Sequence, residues 1–180
     1  MVSGYVIELF SGSSTVDEAA VLELWAREGA MGEDEARDRL EELLFIATRD
    51  GELAAVSTTH LQWSPRLRLH MWNFRTFVAE GHRESGVGTM VANRAHEYAA
   101  ARFESGEETR GAGGLLEVEN EMLKRFLNQA AWPPYGYTFV DENEKGDHVR
   151  IQFFPGVEAP APDAVEPDPP LPKIYGEPRA

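Results

Sequence analysis

The sequence predicts a mixed α/β fold with a long antiparallel middle, and three observations carry that expectation. Apolar residues alternate between period-two runs and 3.6-residue spacing, in the order β-α-α-β-β-β-α-β-α-β-β over residues 5 to 154. Asp50-Gly51, the dipeptide favoured in tight hairpins, separates two β-type runs in the middle of the chain. The 180 residues are 42% apolar and 10% aromatic, enough for a full core and too apolar for a wholly disordered chain.

Each element has its own signature. Tyr5 to Phe10 reads as a first strand. Thr15-Val-Asp-Glu18 has the form of a capping box, and Val21, Leu24 and Trp25 give the following helix one apolar face. Ala36, Leu40, Leu43 and Leu44 mark a second helix. Phe45 to Thr48 and Leu53 to Leu61 form the hairpin. After Ser64-Pro65, Leu67 to Val78 is a strand with apolar residues on both faces, which suits a central, doubly covered position. A helix over about Val87 to Phe103 places Met90, Val91, Ala95, Tyr98 and Arg102 near one face. Leu115 to Val118 is a short buried strand, and Asn120 to Ala131 a helix with Leu123, Phe126 and Leu127 apolar. Tyr135 to Val140 and His148 to Phe154 close the sheet.

Composition excludes several classes of function. The absence of cysteine removes disulfides, thiolate metal sites and a cysteine nucleophile. His60, His82, His96 and His148 show no metal-ligand spacing, and no metal is expected. No apolar run is long enough to cross a membrane, and the first residues lack a signal-peptide pattern, so a cytoplasmic protein is expected. The 31 acidic against 17 basic residues give a net charge of −14, which argues against direct nucleic-acid binding and suits a cationic substrate.

The chain divides into a body, 1–154, and a proline-rich acidic extended tail, 155–180. Eight of the 11 prolines fall between residues 155 and 178, which precludes a helix or a central strand. The segment reads either as solvated polyproline-like chain or as an arm docked through Leu171, Ile174 and Tyr175, on the body or on a second subunit.

The most informative segment joins the doubly apolar strand to the helix after it: Val78-Ala-Glu-Gly-His-Arg-Glu-Ser-Gly-Val-Gly88. A helix start leaves backbone N–H groups unpartnered and carries partial positive charge, and Gly86 and Gly88 permit close approach to the backbone. Together these suit a phosphate or diphosphate. A Walker loop would need a Gly-Lys-Ser/Thr ending, but Gly88 is followed by Thr89. A dinucleotide fingerprint would need a small third residue where Val91 stands.

The remaining pattern, Arg83-Glu-Ser-Gly86-Val-Gly88, resembles the loop of the GNAT superfamily of acyl-CoA N-acyltransferases. Val78, His82, Arg83, Gly86 and Gly88 fill the register Val-x-Pro-x-Tyr/His-Arg-x-x-Gly-x-Gly, with Glu80 at the proline position. Asn120-Glu-Met122-Leu123 and Asn128-Gln-Ala-Ala-Trp132 are similar to part of a later family segment, with Trp132-Pro133-Pro134 in place of its Leu-Gly-Phe. The resemblance covers most of residues 5 to 154 and the order of elements. It implies a GNAT-like, mostly antiparallel central sheet, flanked by helices, whose fourth and fifth strands splay apart.

The resemblance also implies roles. The amides of Arg83, Glu84, Ser85, Gly86, Val87, Gly88 and Thr89 would cradle the diphosphate of acetyl-CoA, the cosubstrate, and the main chain of Phe77 and Val78 would bond pantetheine between the splayed strands. Arg83 would contact phosphate or brace the loop, and His82 would pack it. Asn120 and Asn128 would add cofactor contacts, or cap a helix and lie on the surface. A primary amine of a small molecule or peptide would attack the thioester directly in a ternary complex, with a backbone N–H near Val78 stabilising the oxyanion.

By alignment with the family, Asn128 stands where the usual tyrosine acid would be; Tyr135 and Tyr137 lie just beyond and could substitute, with Tyr135 the candidate acid, but the preferred reading of either is a core aromatic of the sixth strand. Glu80 and Glu117 are the candidate bases, and a partly buried cleft would raise such a carboxylate's pKa. His70 and Asn73 occupy the strand where some family members carry a base. The alternative is a GNAT-like module that binds acyl-CoA without turnover, as a regulator or assembly partner. A third reading makes the tail the functional part. A homodimer is common in the family.

Overall fold

The computed structural model describes residues 4–13, 15–132 and 136–175. Its elements are β1 (Val6–Leu9), α1 (Glu18–Arg27), α2 (Glu33–Arg39), β2 (Leu43–Arg49), β3 (Glu52–Ser64), β4 (Leu69–Val78), α3 (Val87–Glu104), β5 (Gly113–Val118), α4 (Glu121–Phe126), β6 (Ala131–Trp132), β7 (Tyr137–Glu142) and β8 (His148–Phe153). The strands follow the order β1-β2-β3-β4-β5-β8-β7-β6 in one eight-stranded sheet. β4 and β5 are parallel, as the α3 crossover requires. The pairs β1–β2, β2–β3, β5–β8, β6–β7 and β7–β8 are antiparallel. The expected mixed, mostly antiparallel α/β sheet is therefore present. Pairing of β4 with β5 covers Trp72–Gly114 and Asn73–Leu115, and β4 runs five residues further, to Val78.

The contacts divide the chain into two compact units. One comprises the described residues of Met1–Thr59 and Arg75–His96, the other those of His60–Phe74 and Glu97–Ala180. In the first, Val21, Leu24 and Trp25 of α1 and Ala36 of α2 pack with Ile46, Val56 and Ala79. In the second, Met71, Ala112, Leu115 and Ile151 form the core, joined by Leu67, Leu69, Val140, Val149 and Val157. α3 buries Val87, Val91, Ala95 and Ala99 almost completely. This four-residue stripe of small and branched side chains lets the helix lie close to its neighbours, while the larger Met90 and Tyr98 flank it.

Several local expectations are met. Asp50 and Gly51 both have positive φ, 53° and 83°, which is the type I′ geometry a two-residue hairpin needs. Others are corrected. The cap of α1 is Asp17, whose carboxylate accepts from the Ala20 N–H at 2.9 Å, so Thr15 and Glu18 do not form the expected box. Leu43 and Leu44 lie in β2, because the helical spacing continued by chance into a strand. The helix expected over Asn120 to Ala131 ends at Phe126, and Leu123, Phe126 and Leu127 are exposed.

Arg150 explains that early stop. It is completely buried on β8, and its guanidinium donates to the carbonyls of Leu127, Gln129 and Ala130 while stacking over Trp132 at 4.0 Å. The Trp132 indole N–H also donates to the Leu127 carbonyl, at 2.6 Å. Carbonyls that a longer helix would use internally are held by these two side chains. A buried cation stacked on an aromatic ring contributes roughly 2 kcal/mol, enough to outweigh helix propensity in one turn.

The proline-rich segment docks through Pro162 and residues 172–175. The Leu61 N–H donates to the Lys173 carbonyl at 2.8 Å, and Ile174 bridges His60. Arg110 donates to the carbonyls of Pro172 and Ile174, both at 3.1 Å, and Arg68 donates to that of Pro162. The Tyr175 ring lies 4.7 Å from that of Trp72 and 5.8 Å from that of Tyr98. Proline supplies carbonyls but no N–H, so donors on the body make most of these bonds. Residues 158–170 stay largely exposed between the anchors.

His96, buried on α3, generates a pH prediction. Burial lowers its pKa from the ordinary 6.5 to about 4. The unfolded chain takes up a proton below pH 6.5 and the folded chain does not, so stability is full above that pH and falls below it. The loss attributable to this group between pH 6.5 and 5 is roughly 1–2 kcal/mol. Urea unfolding of wild type and His96→Gln at both pH values measures it: the difference between them shrinks by that amount at pH 5.

Candidate functional site

The β4–α3 junction is built from ordinary backbone bonding that leaves specific amides over. The Ala79 N–H is taken by the Ala54 carbonyl at 2.9 Å, after which Glu80–His82 make one tight turn. The Arg83 N–H donates to Glu80, and the Ser85 N–H to His82. The Ser85 hydroxyl donates to the His82 carbonyl at 2.6 Å and accepts from the Val87 N–H at 3.2 Å. Met90 N–H donates to the Gly86 carbonyl. Among the described residues, no acceptor takes the N–H groups of Gly86, Gly88 or Thr89, which lie at the start of α3 where the helix dipole is positive.

The two glycines serve different purposes. Gly86 has φ of 80°, a conformation that permits the sharp entry into α3. Gly88 is a packing requirement: a Cβ there would lie 2.8 Å from Val78 Cγ2. His82 anchors the loop, as expected, with its Nδ1 2.7 Å from the Tyr5 hydroxyl and the two rings edge-on.

Charge at the loop centres on a residue the sequence did not single out. Glu28, the C-cap of α1, accepts from the Glu80 N–H at 3.0 Å and from Arg83 Nη2 at 3.3 Å. Its side chain is 11% exposed, that of Arg83 53%. Arg83 Nε also donates to the Val78 carbonyl at 3.4 Å. Arg83 thus braces the loop, one of its two expected roles. Glu28 is separated from its partners by more than 50 residues, so no local pattern marks it.

The other expected residues are distributed as follows. Phe77 and Val78 end β4, with Phe77 packed against the first unit's core. Glu80, Glu84 and Thr89 are exposed. These belong to the first unit, with the whole loop, Tyr5 and Glu28. In the second unit, Glu117 is exposed on β5, so neither it nor Glu80 occupies the partly buried cleft expected of a base. Asn120 caps α4, accepting from the Met122 and Leu123 N–H groups, and Asn128 is exposed in the segment held by Arg150. Tyr135 lies outside the described residues. Tyr137 is buried, and burial pushes its phenol above the ordinary value, the behaviour of a core aromatic. His70 is buried, with its pKa lowered by burial against the opposing pull of Glu166. Asn73 Nδ2 donates to Gln62 at 2.8 Å, and the buried Oδ1 is unpartnered, at the last β4–β5 pair.

A cavity of about 420 Å³ in the second unit is lined by Trp63, Arg68, His70, Phe103 and Arg110 together with tail residues; of the candidate site residues read from the sequence, it contains His70 alone. Among the described residues, no three His, Asp or Glu side chains group as metal ligands, and no helix is long and apolar enough to cross a membrane.

No family model matches the chain, and no curated protein matches its sequence. Solved structures do match in fold. The acetyltransferase of GNAT family from Streptococcus pneumoniae is 13% identical, with 83% of this chain and 99% of that chain covered, at a TM-score of 0.55. AtaTR bound with acetyl-CoA is 12% identical, with 84% and 94% covered, at 0.57. The ribosomal-protein-S18-alanine N-acetyltransferase from Escherichia coli is 18% identical, with 82% and 90% covered, at 0.52. The chain has the fold of GNAT acetyltransferases.

The close approach at Gly88 gives a direct test of the junction. Gly88→Ala forces a methyl against Val78, and the α3 start must shift or the protein loses about 1–3 kcal/mol. Chemical denaturation measures that cost, and Val78→Ala in the same chain recovers part of it.

Proposed function

We propose that the chain is an acyl-CoA-dependent N-acyltransferase that moves an acetyl group from acetyl-CoA to a primary amine of a small molecule or peptide. One observation carries this reading: on a GNAT fold, the β4–α3 junction presents the unpartnered N–H groups of Gly86, Gly88 and Thr89 at a helix start. Such a set of oriented donors suits a diphosphate. The structure of AtaTR with acetyl-CoA bound supports the choice of cosubstrate, and the enzyme named for a ribosomal-protein alanine supports an amine acceptor.

In this reading the Gly86, Gly88 and Thr89 amides hold the diphosphate, while Arg83, Ser85 and Val87, whose N–H groups already bond within the loop, shape it, and the Phe77–Val78 main chain bonds pantetheine. The neutral amine attacks the thioester carbonyl. A carbon–nitrogen bond forms, the carbon–sulfur bond breaks, nitrogen loses a proton and the departing thiolate gains one. An N–H near Val78 stabilises the oxyanion. Glu80 and Glu117 are the proposed bases, Tyr135 the proposed acid, and Asn120 and Asn128 further cofactor contacts. The exposure of both carboxylates and the capping role of Asn120 favour keeping the second reading, acyl-CoA binding without turnover.

Calorimetry with acetyl-CoA tests the cofactor. Wild type binds, and Gly86→Trp, which fills the loop, weakens binding at least about tenfold; a folded wild type that shows no binding refutes the proposal. Thiol release across a panel of amines then separates the two readings. Turnover supports the enzyme, and Glu80→Gln or Glu117→Gln lowers kcat by about 100-fold or more if that group is the base. Tight binding without turnover on any amine supports the module.

A further inference from the structure

Arg83, the loop's arginine, is committed to partners within the protein. Arg83 spans two acceptors, the Glu28 carboxylate at 3.3 Å and the Val78 carbonyl at 3.4 Å. Both matter to the acyl-CoA reading, on which this inference rests. A diphosphate at the Gly86–Thr89 amides is a natural partner for a guanidinium. The Val78 carbonyl is one of the main-chain groups proposed to bond pantetheine. As it stands, Arg83 covers that carbonyl and is itself neutralised by Glu28.

We propose that Glu28 acts as an internal counter-anion that holds Arg83 across Val78, and that the cofactor's diphosphate competes with it for Arg83. One side-chain movement then does two things. It supplies a cation to the diphosphate and uncovers the Val78 carbonyl for pantetheine. The geometry favours exchange over a fixed brace. Arg83 is half exposed and both its bonds are long, so they are readily surrendered. Glu28 is nearly buried and keeps the Glu80 N–H at 3.0 Å, so it stays in place when Arg83 leaves. Arg27, 3.9 Å from the other Glu28 oxygen, remains to offset its charge. Glu28 is in this sense a positioning residue, acting on the cofactor through Arg83.

The proposal fixes the sign of a substitution that would ordinarily be expected to harm a binding loop. Glu28→Gln retains an oxygen acceptor for the Glu80 N–H and removes the charge that competes for Arg83. It therefore tightens CoA binding by about three- to fivefold, the scale of a half-exposed ion pair. Arg83→Gln weakens binding, and in that background Glu28→Gln changes affinity by less than about twofold, because there is no longer a guanidinium to compete for. Calorimetry with CoA on the four full-length chains measures the cycle, with thermal melts confirming that each is folded.

The Arg83 Nε–H resonance, followed by ¹⁵N NMR, moves on adding CoA to wild type. Three results overturn the inference while leaving CoA binding intact: Glu28→Gln weakens or does not alter binding, its gain persists undiminished without Arg83, or the Arg83 resonance does not move. Absence of CoA binding by folded wild type overturns the acyl-CoA reading itself and is recognised at once.

Discussion

The close approach of α3 to β4 at Gly88 is the constraint on which the candidate site depends. With only 2.8 Å between the place of a Cβ and Val78, the first turn of the helix is pressed against the strand end. The same turn exposes amides that the chain cannot satisfy internally. Gly86, at positive φ, makes the entry sharp enough for both conditions to hold together. Ser85 then secures the turn by bonding His82 on one side and Val87 on the other. The loop is thus shaped by the protein's own packing and backbone bonding. Its unsatisfied donors are a consequence of that shape and are available to an anion without further reorganisation.

That rigidity has a complement in the loop's charges. Arg83 is the exposed partner and Glu28 the nearly buried one. A guanidinium left unpaired beside a helix start would bind any passing anion. Pairing it with a carboxylate from α1 raises the threshold, since a ligand must offer more than a single weak charge to displace it. A diphosphate, which also meets the loop amides, satisfies that condition; chloride or a lone carboxylate does not. Glu28 can therefore contribute selectivity while opposing affinity.

The fold was largely legible in the sequence, because hydrophobic period separates strand from helix and Asp50-Gly51 fixes a hairpin locally. The junction was legible for the same reason: its glycines, helix start and Arg83 are neighbours in the chain. What escaped was long-range. Arg150 truncates α4 from a strand some 20 residues later, by bonding carbonyls that no side-chain pattern announces. Glu28 reaches Glu80 and Arg83 across more than 50 residues. The anchoring of Pro172 and Ile174 by Arg110 is equally remote. Leu43 and Leu44 show the opposite failure, in which a correct local period ran on into the wrong element.

A chain with a net charge of −14 is at first sight a poor host for a polyanionic cofactor. The conflict weakens once distance is considered. Charges on solvent-exposed residues are screened over about 8 Å at physiological ionic strength, so most of the acidic surface, including that of residues 158–170, contributes little at the loop. What counts is the local set: the dipole and free amides of α3, Arg83, and the carboxylates of Glu28, Glu80 and Glu84. Of these, Glu80 and Glu84 are exposed and can turn toward water. Glu28 cannot, being nearly buried and bonded to the Glu80 amide. The electrostatic character of the loop is therefore decided by one carboxylate and one guanidinium.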